Sequence, residues 1–333
     1  MTKIPNPARL RIGLAAAVAL LLPAACSDTD PTGPAAAVDE VTHSPQSLVN
    51  GEDDFDRAAA GALMTYDPNF PDKPGWRSFC SGALVHRRVF QTAGHCIQFL
   101  RAQVDAGVVH AAWISFQQDP DAHFTADPAV ADPASAGWYE IESLHDNPDN
   151  PDFAGLMQLG QADPEALLAV WGKFHDSGAI VLKEAVTGIK PMKLPARPGM
   201  GEKFLAEAGC EGANADCTIE VIAYGLQGFP PPTIPPVQVR LSAPLRYTGI
   251  DPLFVSTDQD PPGSDFGAVC PGDSGGPVIL LKQNGKDGML VAISSSPAHP
   301  FAFPCTGGAI QYRTDTESHL RFIRGVIRSV RGH

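Results

Sequence analysis

The sequence predicts a single large all-β domain over residues 48–333. Short apolar runs recur along this region and are separated by stretches rich in glycine and proline, a pattern typical of β-strands. The clearest runs are Gly82–Val85, Ile219–Tyr224 and Met289–Ile293. The chain of 333 residues contains 32 glycines and 32 prolines. A region of this length fits one β-barrel or β-sandwich domain with room for insertions.

Residues 1–25 have the features of an export signal. Basic residues precede the apolar run Ile12–Leu22, which is too short to span a membrane comfortably. The segment Leu22–Cys26 (LPAAC) resembles a bacterial lipobox, which predicts a lipoprotein lipidated at Cys26; an ordinary secretory signal cleaved nearby is the alternative. Residues 26–47 are expected to form a disordered tether or a propeptide.

Two separated motifs carry the candidate chemistry, Thr92–Cys96 (TAGHC) and Gly272–Pro277 (GDSGGP). A serine hydroxyl is a weak nucleophile at neutral pH, so it needs an imidazole base and a carboxylate that fixes the imidazole tautomer. His95 is the predicted base and Ser274 the predicted nucleophile. Glycines allow a sharp bend that points backbone N–H groups at one place, so the amides of Gly272 and Ser274 are predicted to form an oxyanion hole. A plain turn before a strand is the alternative and is compatible with this role.

These motifs, together with Phe79–Val85 (FCSGALV), closely resemble those of the trypsin-like serine proteases, which have the chymotrypsin fold. The resemblance extends over most of the chain after about residue 48, with His, Asp and Ser in the family's order. It implies two six-stranded antiparallel β-barrels and peptide hydrolysis through an acyl-enzyme. Gly94 departs from the family, which usually has alanine there.

Two helices are predicted besides the strands. Asp163-Pro164-Glu165 is a typical helix start, and Leu167, Leu168, Trp171 and Phe174 follow on one face as an expected insertion between the barrels. The segment from Thr316 ends in basic residues, which suits a C-terminal helix.

The resemblance places the acid of the triad between the base and the nucleophile, just before an apolar strand. Asp152 precedes the run Phe153–Leu159 and is the predicted acid, with Asp149 and Asp146 as competitors. The alternative is that all three are solvated turn residues. This cluster lacks the spacing and the closing Glu of an EF-hand calcium loop.

Six of the seven cysteines are expected to form disulfides. The resemblance implies one pair that holds the base loop and one that braces the nucleophile loop, and two nearby cysteines are expected to close a local hairpin. The pairs are Cys80–Cys96, Cys270–Cys305 and Cys210–Cys217. Six reduced thiols would suit a cytosolic protein and conflict with the export signal.

The resemblance also identifies a specificity pocket for the substrate side chain on the acyl side of the scissile bond. Ala268, six residues before the nucleophile, is expected at its floor, and Ser294 and Ser296 in its walls. Alanine provides no carboxylate for Arg or Lys. The sequence therefore predicts a neutral pocket for small or medium apolar side chains, unless Asp265 reaches in.

The segment Leu48–Gly51 (LVNG) is similar to the N-terminus of the mature proteases, and Asp273 to the aspartate that pairs with the new α-amine. This similarity implies a zymogen cut before Leu48. No basic residue precedes that bond, so a trypsin-like activator is not implied. The cut would also release the domain from Cys26.

The formal net charge of −13 disfavours a nucleic-acid partner. No phosphate-binding glycine loop, zinc-binding helix motif or Cys-x-x-Cys pair occurs, so the sequence predicts no cofactor and no metal. We expect a monomeric serine endopeptidase that acts on polypeptides, is secreted or held at the cell envelope, and reaches a membrane only through Cys26. A protease fold retained as a binding module, or an esterase on the same scaffold, are the alternatives.

Overall fold

The computed structural model describes residues 48–69, 75–120, 132–210, 217–225, 238–259, 264–281, 287–302 and 305–331. The predicted export signal, the tether and Cys26 lie outside these residues. No helix among the described residues is both long enough and apolar enough to cross a membrane.

The described residues form thirteen β-strands. In chain order they are β1 (Glu52–Asp53), β2 (Ala60–Asp67), β3 (Gly75–His86), β4 (Val89–Thr92), β5 (Ala111–Ser115), β6 (Tyr139–Asp146), β7 (Gly178–Leu182), β8 (Thr218–Ala223), β9 (Leu241–Ile250), β10 (Phe254–Gln259), β11 (Pro277–Leu281), β12 (Asp287–Pro297) and β13 (Gly307–Arg313).

Two closed antiparallel barrels account for all the strands but β1, which pairs with β9. The first barrel has the order β2-β3-β4-β7-β6-β5, and its core is built on Leu63, Phe90 and Ile180. The second has the order β8-β9-β10-β13-β12-β11 and closes by pairing β8 with β9. Along β9 buried and half-buried residues alternate from Leu241 to Tyr247, because successive side chains of a strand point to opposite faces. The predicted pair of six-stranded barrels is confirmed.

Five helices accompany the barrels among the described residues. They are α1 (Gly94–Asp105), α2 (Phe153–Ala162), α3 (Pro164–Val170), α4 (Met200–Glu207) and α5 (Glu317–Ser329).

Helices α2 and α3 connect β6 to β7 and form what we call the α2–α3 insertion. The predicted start of α3 is confirmed, because the Asp163 side chain accepts a hydrogen bond from the Ala166 N–H. Two parts of the prediction are wrong. In chain order the insertion connects two strands of the first barrel rather than linking one barrel to the other, and the run Phe153–Leu159 forms a helix rather than a strand. A buried Phe153 followed by half-buried Leu156 and exposed Met157 and Gln158 has helical rather than strand periodicity.

Helix α5 closes the described chain as predicted. Thr316 is its N-cap, and the Thr316 hydroxyl accepts a hydrogen bond from the His319 N–H at 3.1 Å. The three predicted disulfides, Cys80–Cys96, Cys210–Cys217 and Cys270–Cys305, are also confirmed.

Arg240 is buried where the two barrels meet. Its guanidinium donates hydrogen bonds to the Phe116 carbonyl, just after β5, and to the Tyr224 hydroxyl, just after β8, at 3.0 and 3.1 Å. Its Nε also donates to the Asp54 carbonyl at 2.9 Å. A buried charge is tolerated only when its hydrogen bonds are satisfied. This side chain therefore fixes the first barrel against the second, and the candidate site lies between them.

Candidate active site

Ser274 lies on the loop that leads into β11 of the second barrel. The tight bend is held by the Gly276 N–H, which donates to the Asp273 carbonyl at 2.8 Å. Gly275 has a φ of +81°, and a Cβ on it would lie 2.4 Å from the Ser81 carbonyl oxygen. Only glycine fits this conformation and this close approach, which explains the glycine directly after the serine.

Ser81 of the first barrel anchors the nucleophile loop. Its N–H donates to the Ser274 carbonyl at 2.8 Å, and its hydroxyl donates to the Gly272 carbonyl at 2.9 Å. The Ser81 hydroxyl also accepts from the Tyr224 N–H at 3.0 Å. The position of Ser274 relative to the first barrel is therefore fixed by hydrogen bonds on both sides of it.

His95 is the second residue of α1 and belongs to the first barrel. Its ring packs edge-on against Phe153, with the ring centroids 5.7 Å apart. A Cβ at residue 94 would lie 2.1 Å from the Asn150 amide nitrogen, which gives a steric reason for Gly94 where the trypsin-like proteases usually have alanine. The nearby sulfurs of Cys80 and Cys96 are joined in a disulfide, so this group of potential ligands is not a metal site.

The carboxylate at His95 belongs to Asp176. One Asp176 oxygen lies 2.9 Å from His95 Nδ1, and the other accepts the His95 backbone N–H at 3.0 Å. The Ser295 hydroxyl donates to the first oxygen at 2.6 Å. Burial alone raises the pKa of the Asp176 carboxyl, but the charge and hydrogen bonds of His95 and the bond from Ser295 outweigh it and hold this pKa below its ordinary value. Asp176 is thus an ionised, fully buried partner that fixes the imidazole tautomer.

The structure does not bring Asp152 to His95, where the sequence places it; the carboxylate that contacts His95 is that of Asp176. Asp152 is exposed at the N-cap of α2, with its carboxylate over the first helical turn at Gly155. Asp149 accepts hydrogen bonds from Ser318 and Arg321 instead.

Asp146, the other competitor, accepts from Gln98 and Asn150. The sequence signal that could have pointed to Asp176 is the run Gly178–Leu182 that follows it closely, which forms β7 and is buried at every position. This is the apolar strand that the resemblance requires.

Hydrogen bonds between the two ends of the insertion fix the position of Asp176. The Asn147 N–H and the Asn150 side-chain amide both donate to the Ser177 carbonyl, at 3.2 and 2.8 Å. The Ser177 N–H donates to the Asn150 side-chain oxygen at 3.1 Å. We call these contacts the Asn150–Ser177 clamp. It holds the residue after Asp176 against the end of β6.

His95, Asp176 and Ser274 share one cleft of about 440 Å³. Its other lining residues are Phe99, Phe153, Met157, Trp171, Phe174, Gln259, Val269, Cys270, Pro271, Ser294, Ser295, Ser296, Pro297 and Cys305. The cleft is mainly apolar, and His95 and Asp176 are the only ionisable groups among the described residues that line it. A few polar groups in an apolar cavity are typical of sites that bind small molecules or substrates.

The predicted pocket residues fall into two groups. Ser294 and Ser296 line the cleft, as expected. Ala268 is fully buried behind it and exchanges backbone hydrogen bonds with Val49, so its neighbours Val269 and Cys270 line the cleft in its place. Asp265 is exposed.

Asp273, next to the nucleophile, is fully buried. One of its oxygens accepts the Gly225 N–H at 2.8 Å and the other the Cys270 N–H at 2.7 Å. Burial raises the pKa of this carboxyl well above its ordinary value, although the two amides lower it. Leu48 is buried in the core of the second barrel.

Two closed six-stranded antiparallel barrels, a C-terminal helix and a site between the barrels define the chymotrypsin fold of the trypsin-like serine proteases. Among solved structures, the chain is similar to human heparin binding protein, with a TM-score of 0.51 and 18% sequence identity over 84% of this chain and 97% of that one. An atomic-resolution structure of the same protein gives a TM-score of 0.50 at 17% identity, covering 84% and 96%. No protein-family model and no curated protein sequence matches the chain.

Sequence identity this low establishes the fold alone. The name of the similar protein records binding rather than hydrolysis, and one fold can support either function. The function has to be argued from the site itself.

Proposed function

We propose that the protein is a serine peptidase whose catalytic residues are His95, Asp176 and Ser274. The observation that carries the proposal is the buried Asp176 carboxylate bonded to His95 Nδ1, in the same cleft as a serine on a sharply bent glycine loop. A hydrogen bond from Nδ1–H of the neutral imidazole to this carboxylate has a clear chemical use, because it leaves His95 Nε2 available as a base.

The reaction proceeds by acyl transfer. His95 Nε2 takes the proton of the Ser274 hydroxyl as its oxygen attacks the peptide carbonyl carbon. The N–H groups of Gly272 and Ser274 stabilise the negative oxygen, and Asp176 stabilises the imidazolium. His95 then gives the proton to the leaving amine, and water repeats the cycle to release the acid. Among the described residues that line the cleft, Asp176 is the one carboxylate, and it is bonded to His95, so we expect the substrate side chain to be uncharged.

Three disulfides and this fold are typical of an extracellular protein. We further propose export through residues 1–25, with Cys26 lipidated or the signal cleaved nearby. Cleavage before Leu48 would supply an α-amine to a buried carboxylate, Asp273, whose described partners are two backbone amides. Intact mass and N-terminal sequencing of the exported protein distinguish these forms. We expect the protein to be a monomer that acts on a polypeptide substrate. We expect it to need neither a nucleic acid nor a cofactor.

Labelling with a fluorophosphonate probe tests the proposed nucleophile. We expect labelling of the folded wild-type protein, none in Ser274→Ala and a severe loss in His95→Ala, with both variants as stable as the wild type. A folded, correctly processed protein that does not react would instead support a binding module. Labelling with turnover of esters but of no peptide would support an esterase.

A further inference from the structure

The α2–α3 insertion forms one wall of the cleft with a row of aromatic rings. The Trp171 ring lies 5.4 Å from that of Phe174, Phe174 lies 5.7 Å from Phe153, and Phe153 lies 5.7 Å from His95, measured between centroids. An apolar surface therefore extends without interruption from the imidazole to Trp171.

Trp171 joins the insertion, which belongs to the first barrel, to β12 of the second. Its indole N–H donates to the Pro297 carbonyl at 3.0 Å. Helix α2 also comes close to the second barrel at Gly160. A Cβ on Gly160 would lie 4.0 Å from the ring of Phe301, which follows β12. The insertion therefore bridges the barrels on the side of the cleft that holds Ser294–Ser296.

An extended peptide commonly binds by adding a strand to a free sheet edge, and β12 offers such an edge beside Ser274. The edge begins after Ser294, whose N–H and carbonyl are bonded to Gly276 and Gly275 of the nucleophile loop at 2.8 and 2.7 Å. It ends at Pro297, which has no N–H and whose carbonyl accepts from the indole of Trp171. Ser296 faces β13, as does Ala298, whose N–H donates to the Gly308 carbonyl. Among the described residues of this edge, Ser295 is therefore the one left for backbone pairing.

We propose that the α2–α3 insertion limits the substrate, on the pocket side of the scissile bond, to one or two residues with apolar side chains. This inference rests on the proposed function, since it assumes that Ser274 is acylated. It narrows the endopeptidase expected from the sequence to an enzyme that cleaves within two residues of a peptide N-terminus. Trp171 is the residue that determines this limit.

The test measures how fast Ser274 reacts with alanine-based peptidyl diphenyl phosphonates of one, two and four residues, followed by intact mass. The wild-type rate constant should rise from one to two residues and should fall sharply for four, because residues beyond the second have no place in the cleft. In Trp171→Ala, the rate constant of the four-residue reagent should rise about tenfold relative to that of the two-residue reagent, because the freed Pro297 carbonyl can accept one backbone hydrogen bond from the longer peptide. Leu168→Ala, an exposed change on α3, is the matched control and should keep the wild-type ratio.

A wild-type protein that reacts with four residues as fast as with two, or faster, would overturn the inference, whether or not the Trp171 variant folds. Equal ratios in Trp171→Ala and Leu168→Ala would overturn it as well. A small fluorophosphonate serves as the reference reagent. If it does not label Ser274, the proposed function fails; if it does and only the length profile is wrong, this inference alone fails.

Discussion

At the scale of single residues, the main question is which carboxylate supports His95. We predict that Asp176→Asn slows fluorophosphonate labelling and peptide hydrolysis by about 10³- to 10⁴-fold, because a neutral amide allows the wrong imidazole tautomer and cannot stabilise the imidazolium. Asp152→Asn is the matched control and should stay within about twofold, since a surface substitution away from such contacts has little effect.

Rate constants of the two variants at neutral pH, with circular dichroism to confirm folding, make this comparison. Equal losses of rate in both variants, or a larger loss in Asp152→Asn, would contradict the assignment to Asp176. A larger loss in Asp152→Asn would favour Asp152, the acid expected from the sequence.

The residues that sequence reasoning found and missed differ in how far their roles depend on tertiary structure. His95, Ser274 and the cysteine pairs sit in short motifs whose chemistry is local, so they could be identified. Asp176 could not be chosen with the same ease, because the α2–α3 insertion, of which only α3 was expected, separates it from the Asp and Asn cluster that was considered. No sequence motif around Ser295 indicates that its hydroxyl donates to the Asp176 carboxylate, since that contact depends on how β12 packs beside Asp176.

At the scale of elements, the same reasoning succeeded where start signals were strong. The N-caps Asp163 and Thr316 mark α3 and α5 correctly, because a side-chain oxygen that accepts a backbone N–H is a local feature. It failed for Phe153–Leu159, where a short apolar run suits a strand or a helix equally well. The context that decides between them is the packing of Phe153 against His95 and Phe174.

Helix α5 provides a test of capping. Thr316→Ala should lower the free energy of unfolding by about 0.5 to 2 kcal/mol, because the His319 N–H loses its partner. The Thr316 hydroxyl also lies 3.1 Å from that of Tyr312, so the upper part of this range is expected. Thr316→Ser keeps the hydroxyl and should retain most of the stability. Urea unfolding with intact disulfides measures both, and indistinguishable midpoints for Ala and Ser would rule out a capping role.

At the scale of the whole molecule, stability should depend on pH through His319. This fully buried residue of α5 contacts the Ser177 hydroxyl through Nδ1 at 2.8 Å, and burial lowers its pKa to about 3. In the unfolded chain its pKa is about 6.5, so the unfolded state binds the proton first as the solution is acidified. The stability is therefore fully present above about pH 6.5 and is lost as the pH falls toward about 3, by up to about 1.4 kcal/mol per pH unit.

His319→Asn removes the titrating group and can keep the hydrogen bond to Ser177. We predict that the free energy of unfolding of this variant falls less steeply than that of the wild type between pH 6.5 and 4, measured by urea titration at several pH values. Other titrating groups are common to both proteins and cancel in the difference. Parallel curves would show that His319 is not the group responsible.

The Asn150–Ser177 clamp has a consequence for how such a molecule can diversify. The clamp holds together the two ends of the β6–β7 connection. The residues between these ends can therefore be replaced as one unit. Loops of other lengths could be grafted between Pro151 and Lys173 while the Asp176 carboxylate keeps its place at the His95 imidazole. Substrate selectivity could then change, during evolution or in a designed library, while His95, Asp176 and Ser274 stay unchanged.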